Sequence, residues 1–154
     1  MAGKTEAKDA VIVPGAIIMP YKYSVGSVGA KFFIELRDKK RILGIRCPQC
    51  NRVYVPPRSV CGTCFNKLDE WAEVASKGTL LTYTVVHYSL PVHPVQPPFA
   101  YGIIQLDGAD TGLTHFLGEV DLQDIAIGMR LEAVFKAERK GNILDIDYFR
   151  PLRA

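Results

Sequence analysis

The sequence has little that could catalyse a reaction unaided. It contains three histidines in 154 residues, and its four cysteines all belong to two closely spaced Cys-x-x-Cys motifs. No serine or spare cysteine is tied to a histidine by a recognisable motif, and neither G-x-G-x-x-G nor G-x-x-x-x-G-K-[ST] occurs. These absences argue against a phosphate-binding loop and leave no self-sufficient active site in the pattern.

Long apolar runs and strong charge are also missing. No apolar stretch approaches the roughly 18 residues that cross a bilayer. The N-terminus has two acids before a short apolar patch at 11–19, broken by Pro14 and Gly15, which makes a poor signal peptide. We therefore expect a cytoplasmic protein without membrane contact. The net charge of +3 is well below that of a dedicated nucleic-acid binder.

The chain divides by pattern into an extended arm at 1–26, a helix with a cysteine module at 27–70 and a strand-rich region at 71–154. The arm is rich in Gly and Pro, and its apolar residues, which include Ile17, Ile18 and Met19, need cover from the same chain or from a partner. Residues 27–41 are expected to be helical, with Ser27 as the cap and Val28, Phe32 and Leu36 on one face.

The cysteines give the strongest signal. Cys47-Pro-Gln-Cys50 is followed after ten residues by Cys61-Gly-Thr-Cys64, and four thiolates in a tetrahedron select zinc, or iron in a rubredoxin-like setting. The segment 51–58 is expected to form the hairpin that joins the two motifs. A thioredoxin-like redox site is the rival, but it needs only one such motif, at the start of a helix. Because four thiolates leave no open position, the predicted zinc site is structural.

Period-two alternation dominates the last half of the chain. The strand candidates are Thr79–His87, Phe99–Leu106, Leu113–Val120, Leu131–Ala137 and Ile143–Phe149. No helical pattern long enough for crossovers lies between them, so a mainly β fold with a small five-stranded antiparallel barrel of the OB type is expected. In the last candidate, Asp145 and Asp147 should face away from the core.

Basic side chains concentrate between residues 37 and 58. Candidates for contacts with phosphate groups are Arg37, Lys40, Arg41, Arg46, Arg52 and Arg58. The alternative is a solvated face whose long side chains lie along the surface. For His87, His93 and His115 the expectation is a solvated or hydrogen-bonded strand or loop residue, with His93 the most plausible binding residue because it lies in a proline-rich loop.

Several motifs resemble one family of OB-fold proteins that carry an N-terminal helix and a rubredoxin-like zinc ribbon and are encoded beside thiolases and acyl-CoA enzymes. The motifs that carry the resemblance are Lys31-Phe-Phe-Ile-Glu-Leu-Arg-Asp, Leu43-Gly-Ile-Arg-Cys-Pro-Gln-Cys50, Arg52-Val-Tyr-Val-Pro-Pro-Arg58, Cys61-Gly-Thr-Cys64, Gly78-Thr-Leu-Leu-Thr-Tyr-Thr-Val85, Pro97-Pro-Phe-Ala-Tyr-Gly-Ile-Ile-Gln-Leu106, Ile127-Gly-Met-Arg-Leu131 and Phe149-Arg-Pro151. The similarity covers roughly residues 28–152. It implies an accessory subunit that joins a thiolase-like large subunit and helps to bind acyl-CoA, while the catalytic residues belong to the partner.

A narrower similarity lies in Met19-Pro-Tyr-Lys-Tyr-Ser, which resembles the small subunits of benzoylsuccinyl-CoA thiolases. It implies a role in the thiolytic cleavage of benzoylsuccinyl-CoA during anaerobic toluene degradation. Two alternatives remain open. One is a single-stranded nucleic-acid binder, because ribbons and OB barrels both serve that purpose. The other is a stand-alone enzyme acting on acyl-CoA. Acids along the later strands, such as Glu119 and Asp147, disfavour the first.

Overall fold

A computed structural model describes residues 21–91 and 93–152. Most of the predicted arm, including Ile17, Ile18 and Met19, lies outside these residues. Within the described part, no helix is long and apolar enough to cross a membrane. The strands in this part are β1 Ile42–Arg46, β2 Val53–Tyr54, β3 Glu70–Val74, β4 Lys77–Val86, β5 Phe99–Leu106, β6 Gly112–Leu117, β7 Arg130–Phe135 and β8 Ile146–Pro151.

One α-helix, α1, spans Gly26–Lys39 and confirms the amphipathic pattern. Phe32 and Leu36 are buried, as their spacing of four residues predicts. The predicted cap is wrong: Ser27 lies inside the helix, and Val25 occupies the N-cap without a side-chain hydrogen bond. At the other end Lys40 turns into the left-handed region at φ 55°, and its N–H donates to the carbonyl of Leu36, which ends the helix and starts β1.

The first sheet has three strands in the order β2-β1-β3, all antiparallel. Both faces of β1 are buried because α1 and the barrel lie close to it: Ile42, Leu43 and Ile45 are at most 3% exposed. Gly44 keeps this packing close, since a Cβ atom there would come within 2.7 Å of a methyl group of Val53. The sheet therefore holds the cysteine motifs at one end and meets the barrel at the other.

The remaining strands form a closed barrel in the order β4-β5-β6-β8-β7, and β7 returns to β4. This confirms the mainly β fold with a five-stranded barrel. One neighbouring pair, β6 and β8, runs parallel, with Leu117 opposite Phe149, whereas the other pairs are antiparallel. The parallel pair is possible because a long connection through β7 separates the two strands in sequence.

The last strand begins later than predicted. Residues Ile143–Asp145 form a 3₁₀ turn and β8 starts at Ile146. Asp145 is only 2% exposed, which contradicts the prediction that it faces away from the core. Its carboxylate accepts hydrogen bonds from the N–H groups of Lys140, Gly141 and Asn142, at 2.7–3.3 Å. The prediction from period-two alternation was wrong because Asp145 caps a 3₁₀ turn with its carboxylate and does not occupy a solvent-facing position in a strand.

The helix, the three-stranded sheet and the barrel share one hydrophobic core. Phe32 and Leu36 of α1 belong to the same buried cluster as Leu43 of β1 and Leu80, Ile104 and Leu131 of the barrel. A second, smaller cluster surrounds the cysteines. Trp71 packs against both clusters, so it connects the ribbon to the rest of the molecule. The segment boundaries at 26/27 and 70/71 stay predictions.

The turn between β5 and β6 also holds the free edge of β2. Asp110 accepts from the Val53 N–H at 2.8 Å and donates its own N–H to the Val53 carbonyl. Thr111 Oγ1 accepts from the Val55 N–H at 2.7 Å and donates to the Val55 carbonyl at 2.9 Å. Three side-chain hydrogen bonds and one main-chain hydrogen bond thus extend the sheet beyond β2, so the edge strand keeps its hydrogen bonds at the junction.

Candidate metal centre and docking surface

The first cysteine pair lies on the turn between β1 and β2. The Cys47 N–H donates to the Arg52 carbonyl and the Asn51 N–H donates to the Cys47 carbonyl, both at 2.8 Å. Asn51 has φ 53°, and the Cys50 N–H points at Cys47 Sγ at 3.3 Å. The prediction that 51–58 is itself the hairpin is therefore wrong, because the hairpin turns around the cysteines instead.

The second pair repeats this geometry without a long hairpin. The Cys61 N–H donates to the Asn66 carbonyl at 2.9 Å, the Phe65 N–H donates to the Cys61 carbonyl, and Phe65 has φ 61°. The Thr63 N–H points at Cys61 Sγ at 3.4 Å. Both turns thus aim main-chain N–H groups at a sulfur, which is the arrangement that stabilises thiolate ligands.

The four sulfur atoms lie within 4.8 Å of one another. Cys47 Sγ is 3.5 Å from Cys64 Sγ, and Cys61 Sγ is 3.9 Å from Cys50 Sγ. A tetrahedral zinc with bonds of about 2.3 Å requires sulfur separations of about 3.8 Å, so the cluster fits the ion. Cys47 and Cys61 are fully buried, and Cys50 and Cys64 are half-buried.

Hydrogen bonding makes the four thiols unequal. The main-chain N–H of Cys64 and the hydroxyl of Tyr54 lower the pKa of Cys61 to about 5. Hydrogen bonding to Cys64, followed by burial, raises the pKa of Cys50 to about 12. Because zinc binds cysteine as the thiolate, binding must release protons from the cluster. The affinity for zinc must therefore decrease as the pH is lowered.

Sequence reasoning missed one residue beside the metal centre. Tyr54 of β2 is only 3% exposed, and its hydroxyl lies 3.2 Å from Cys61 Sγ. The guanidinium of Arg58 lies 4.7 Å from the centre of the Tyr54 ring, and that of Arg52 lies 5.9 Å away. The sequence indicated only that Tyr54 lies in the segment that joins the two motifs, because the contact with Cys61 depends on how the second cysteine turn folds back.

The six basic candidates do not form one free patch. Arg37 pairs with Asp38 at 2.7 Å, Arg41 with Glu35 at 3.2 Å and Glu73 at 3.4 Å, and Arg46 with Glu70 at 3.4 Å. Lys40 ends α1. Arg52 and Arg58 lie over Tyr54 beside the ribbon. Their role in binding phosphate groups stays a prediction.

The histidines have ordinary surroundings. His115 is 3% exposed, its Nδ1 accepts from the Phe116 N–H at 2.9 Å and its Nε2 lies 3.2 Å from the Ile143 carbonyl. This fixes the neutral tautomer with the proton on Nε2, and burial lowers the pKa of His115. His93 packs between Tyr88 and Phe99, and His87 is exposed at the end of β4.

Part of the outer surface of β4, β5 and β6 carries no charged side chain, and we call it the apolar barrel face. A shallow depression in it is lined by Thr82, Tyr83, Thr84, Tyr101, Gly102, Ile103 and Thr114. Leu81 at its border is 44% exposed because a bulge in β4 pushes it outward. Ile103, at 38% exposure, lies across β6 where Gly112 leaves room for it. Exposed apolar surface of this kind marks interaction sites.

Two family models match consecutive parts of the chain. One is described as the ChsH2 rubredoxin-like zinc ribbon domain and matches residues 35–69. The other is described as the ChsH2 C-terminal OB-fold domain and matches residues 71–136. The ribbon and the barrel seen in the structure are therefore recognisable separately in the sequence.

Curated relatives of this chain are scaffold proteins that contain a DUF35 domain. A DUF35 domain-containing scaffold protein of Methanocaldococcus jannaschii is 32% identical over 103 residues, which cover 66% of this chain and 72% of that protein. A protein of the same description from Pyrococcus furiosus is 26% identical over 127 residues, covering 80% and 92%.

Solved structures show the same fold. A chain of the Ltp2-ChsH2(DUF35) aldolase superposes with a TM-score of 0.62 at 24% identity, covering 84% of this chain and 98% of that one. A DUF35-family protein from Sulfolobus solfataricus gives 0.57 at 23% identity, covering 71% and 78%.

Proposed function

The chain belongs to the family of DUF35 domain-containing scaffold proteins with ChsH2-type ribbon and OB-fold domains, and we propose that it is a non-catalytic subunit of a thiolase-type acyl-CoA enzyme. Cys47, Cys50, Cys61 and Cys64 hold one structural zinc ion. The chain binds a large subunit that carries the catalytic residues, and the assembly binds acyl-CoA.

The observation that carries this proposal is the apolar barrel face. Its seven lining residues include no acid, base, histidine or cysteine, so it offers contact area and no chemistry. Partner interfaces have such cores, depleted of charge and enriched in Tyr. Elsewhere in the described residues, the buried histidine and the buried aspartate are held in internal hydrogen bonds, which is what a scaffold requires.

Acyl-CoA contacts are proposed for the basic residues of the helix and ribbon. A coenzyme A tail presents phosphates, which guanidinium groups bind with paired donors. Arg52, Arg58 and Lys40 are the strongest candidates because Arg37, Arg41 and Arg46 already pair with carboxylates.

The partner proposed is a thiolase-like large subunit, with benzoylsuccinyl-CoA as the narrower proposal for the substrate. One similar structure is that of the Ltp2-ChsH2(DUF35) aldolase, and an aldolase-type large subunit is the competing partner that the experiment must distinguish. A single-stranded nucleic-acid binder is disfavoured because the stacking residues Tyr83 and Tyr101 lie on a face whose lining has no Lys or Arg.

The test is co-expression with an untagged thiolase-type large subunit and, in parallel, with an untagged aldolase-type one, followed by purification through a tag on this chain. We expect a stable complex, and CoA-dependent thiolytic cleavage of a 3-oxoacyl-CoA thioester such as benzoylsuccinyl-CoA, which the large subunit alone performs poorly. The variant Ile103→Asp, which places a charge on the apolar barrel face, should reduce the yield of complex at least tenfold. Ile34→Asp is the matched control, because Ile34 is similarly exposed, at 47%, on α1.

Three results would contradict the proposal. They are full thiolase activity from the large subunit alone, acyl-CoA turnover by this chain alone, and co-purification with an aldolase-type subunit in preference to the thiolase. Equal yields of complex with Ile103→Asp and wild type would refute the assignment of the surface. A salt-sensitive complex with single-stranded oligonucleotides would favour the nucleic-acid alternative.

A further inference from the structure

Tyr54 is a buried tyrosine whose hydroxyl points at a cysteine. The residue is 3% exposed, and its Oη lies 3.2 Å from Cys61 Sγ. β2 fixes the main chain of Tyr54 by pairing it with Ile45 of β1, one residue before Arg46 and two before Cys47. A buried hydroxyl needs a hydrogen-bond partner, and this one has a sulfur.

The direction of this hydrogen bond follows from the metal chemistry. A zinc-bound cysteine is a thiolate and has no proton to donate, so the tyrosine hydroxyl must be the donor. A zinc ion with four thiolates keeps two net negative charges, and each donor that points at a sulfur offsets part of that charge. Cys61 receives the Thr63 N–H at 3.4 Å and the Tyr54 hydroxyl.

Two arginines hold the ring in place. The Arg58 guanidinium lies 4.7 Å from the ring centre of Tyr54, and the Arg52 guanidinium lies 5.9 Å from it. Arg58 also borders the second cysteine turn, since a Cβ atom on Gly62 would come within 3.3 Å of Arg58 Nη1. The positive charge of the two arginines therefore lies beside the anionic cysteine cluster. The Tyr54 ring, which contacts both, has little freedom to turn its hydroxyl away from Cys61.

We propose that Tyr54, held by Arg58, is a positioning residue for the metal centre, whose hydroxyl orients the Cys61 thiolate and slows the loss of zinc. This inference rests on the proposed ligation of zinc by the four cysteines. It also gives Arg58 a role that is independent of acyl-CoA. Groups that hydrogen-bond to metal ligands change metal affinity by about 10–100-fold when they are removed.

The test uses the full-length zinc-loaded protein and the variant Tyr54→Phe, which keeps the ring and removes the hydroxyl. We expect zinc transfer to a chromogenic chelator to become about tenfold faster. In the cobalt-substituted protein, the sulfur-to-cobalt charge-transfer band should move to lower energy, because a thiolate without its donor releases electron density more readily. A purely packing role for Tyr54 would leave the position of this band unchanged.

Tyr148→Phe is the matched control. It also removes a tyrosine hydroxyl from a hydrogen bond, to Glu119 at 2.6 Å, but in the barrel, and it should change neither zinc release nor the cobalt spectrum. If Tyr54→Phe does not fold, Arg58→Gln is tested in its place. Without the guanidinium over it, the Tyr54 ring should hold its hydroxyl less firmly against Cys61, and the protein should again release zinc faster. Wild-type zinc release and an unmoved cobalt band in the folded variant would overturn the inference. Wild-type protein without stoichiometric metal would instead overturn the ligand assignment.

Discussion

Thr111 provides a sharp test of how the ribbon is attached to the barrel. Its hydroxyl makes two hydrogen bonds to the main chain of Val55, accepting at 2.7 Å and donating at 2.9 Å. Val55 is 1% exposed, so water cannot replace the lost partner. The substitution Thr111→Val exchanges the hydroxyl for a methyl group of similar size and removes both bonds without opening a cavity.

The magnitude follows from the two bonds and from the burial of Val55. Each hydrogen bond contributes about 1 kcal/mol net, and a buried main-chain group left without a partner costs about 1–3 kcal/mol. We therefore expect Thr111→Val to lower the free energy of unfolding by about 3 kcal/mol. This is a substantial loss for a domain whose total stability is about 5–15 kcal/mol.

The assay is urea unfolding of the zinc-loaded protein, with saturating zinc in every sample because bound metal adds to stability. Trp71 is the single tryptophan and packs against both hydrophobic clusters, so its fluorescence reports on the junction. Amide exchange at Val53 and Val55 should accelerate together, because both residues depend on the turn at 110–111.

Thr114→Val is the control for this experiment. Thr114 lies on the exposed surface of β6, and the same chemical change there should alter the free energy of unfolding by less than about 0.5 kcal/mol. The reasoning would be refuted if Thr111→Val were as stable as this control, since the side-chain link would then contribute nothing to the junction.

Two further predictions concern single residues. Cys47→Ser should abolish stoichiometric zinc and give insoluble or protease-sensitive protein, because the ion supplies folding free energy to the ribbon; a folded, metal-free variant in elemental analysis and limited proteolysis would contradict this. For His115, burial lowers the pKa below its ordinary value of 6.5, so the unfolded chain binds the proton more readily and stability must decrease as the pH falls below about 6.5. His115→Gln should weaken this dependence in urea unfolding between pH 7.5 and 5.5, and an identical dependence in both proteins would contradict the assignment.

Local patterns predicted the elements whose cause is itself local. Phe32 and Leu36 share a helical face, and both are buried. The strand Phe99–Leu106 was predicted with its observed ends, because turn residues bound it on both sides. The two cysteine motifs predicted a metal cluster, since the fit of four thiolates to one ion depends on spacing and ligand chemistry.

Predictions failed where the chain adopted a different local interaction from the one that the pattern favoured. Ser27 could cap a helix, but the chain starts α1 one residue earlier, after Val25. Asp145 lies at a position that period-two alternation assigns to the solvent side of a strand. Its side chain is nevertheless buried, because three N–H groups of the preceding loop donate to its carboxylate. Neither outcome can be read from the residue types alone.

The sequence by itself indicated the cysteine cluster, the helix and the five strands of the barrel region, because thiolate chemistry and hydrophobic periodicity act over a few residues. It did not indicate β1 and β3 of the three-stranded sheet. Tertiary structure decided which side chains surround those ligands and which surface remains apolar. Tyr54 meets Cys61 only because the second cysteine turn folds back against β2. Ile103 and Tyr83 become neighbours on one uncharged face only when β4 and β5 pair within the closed barrel.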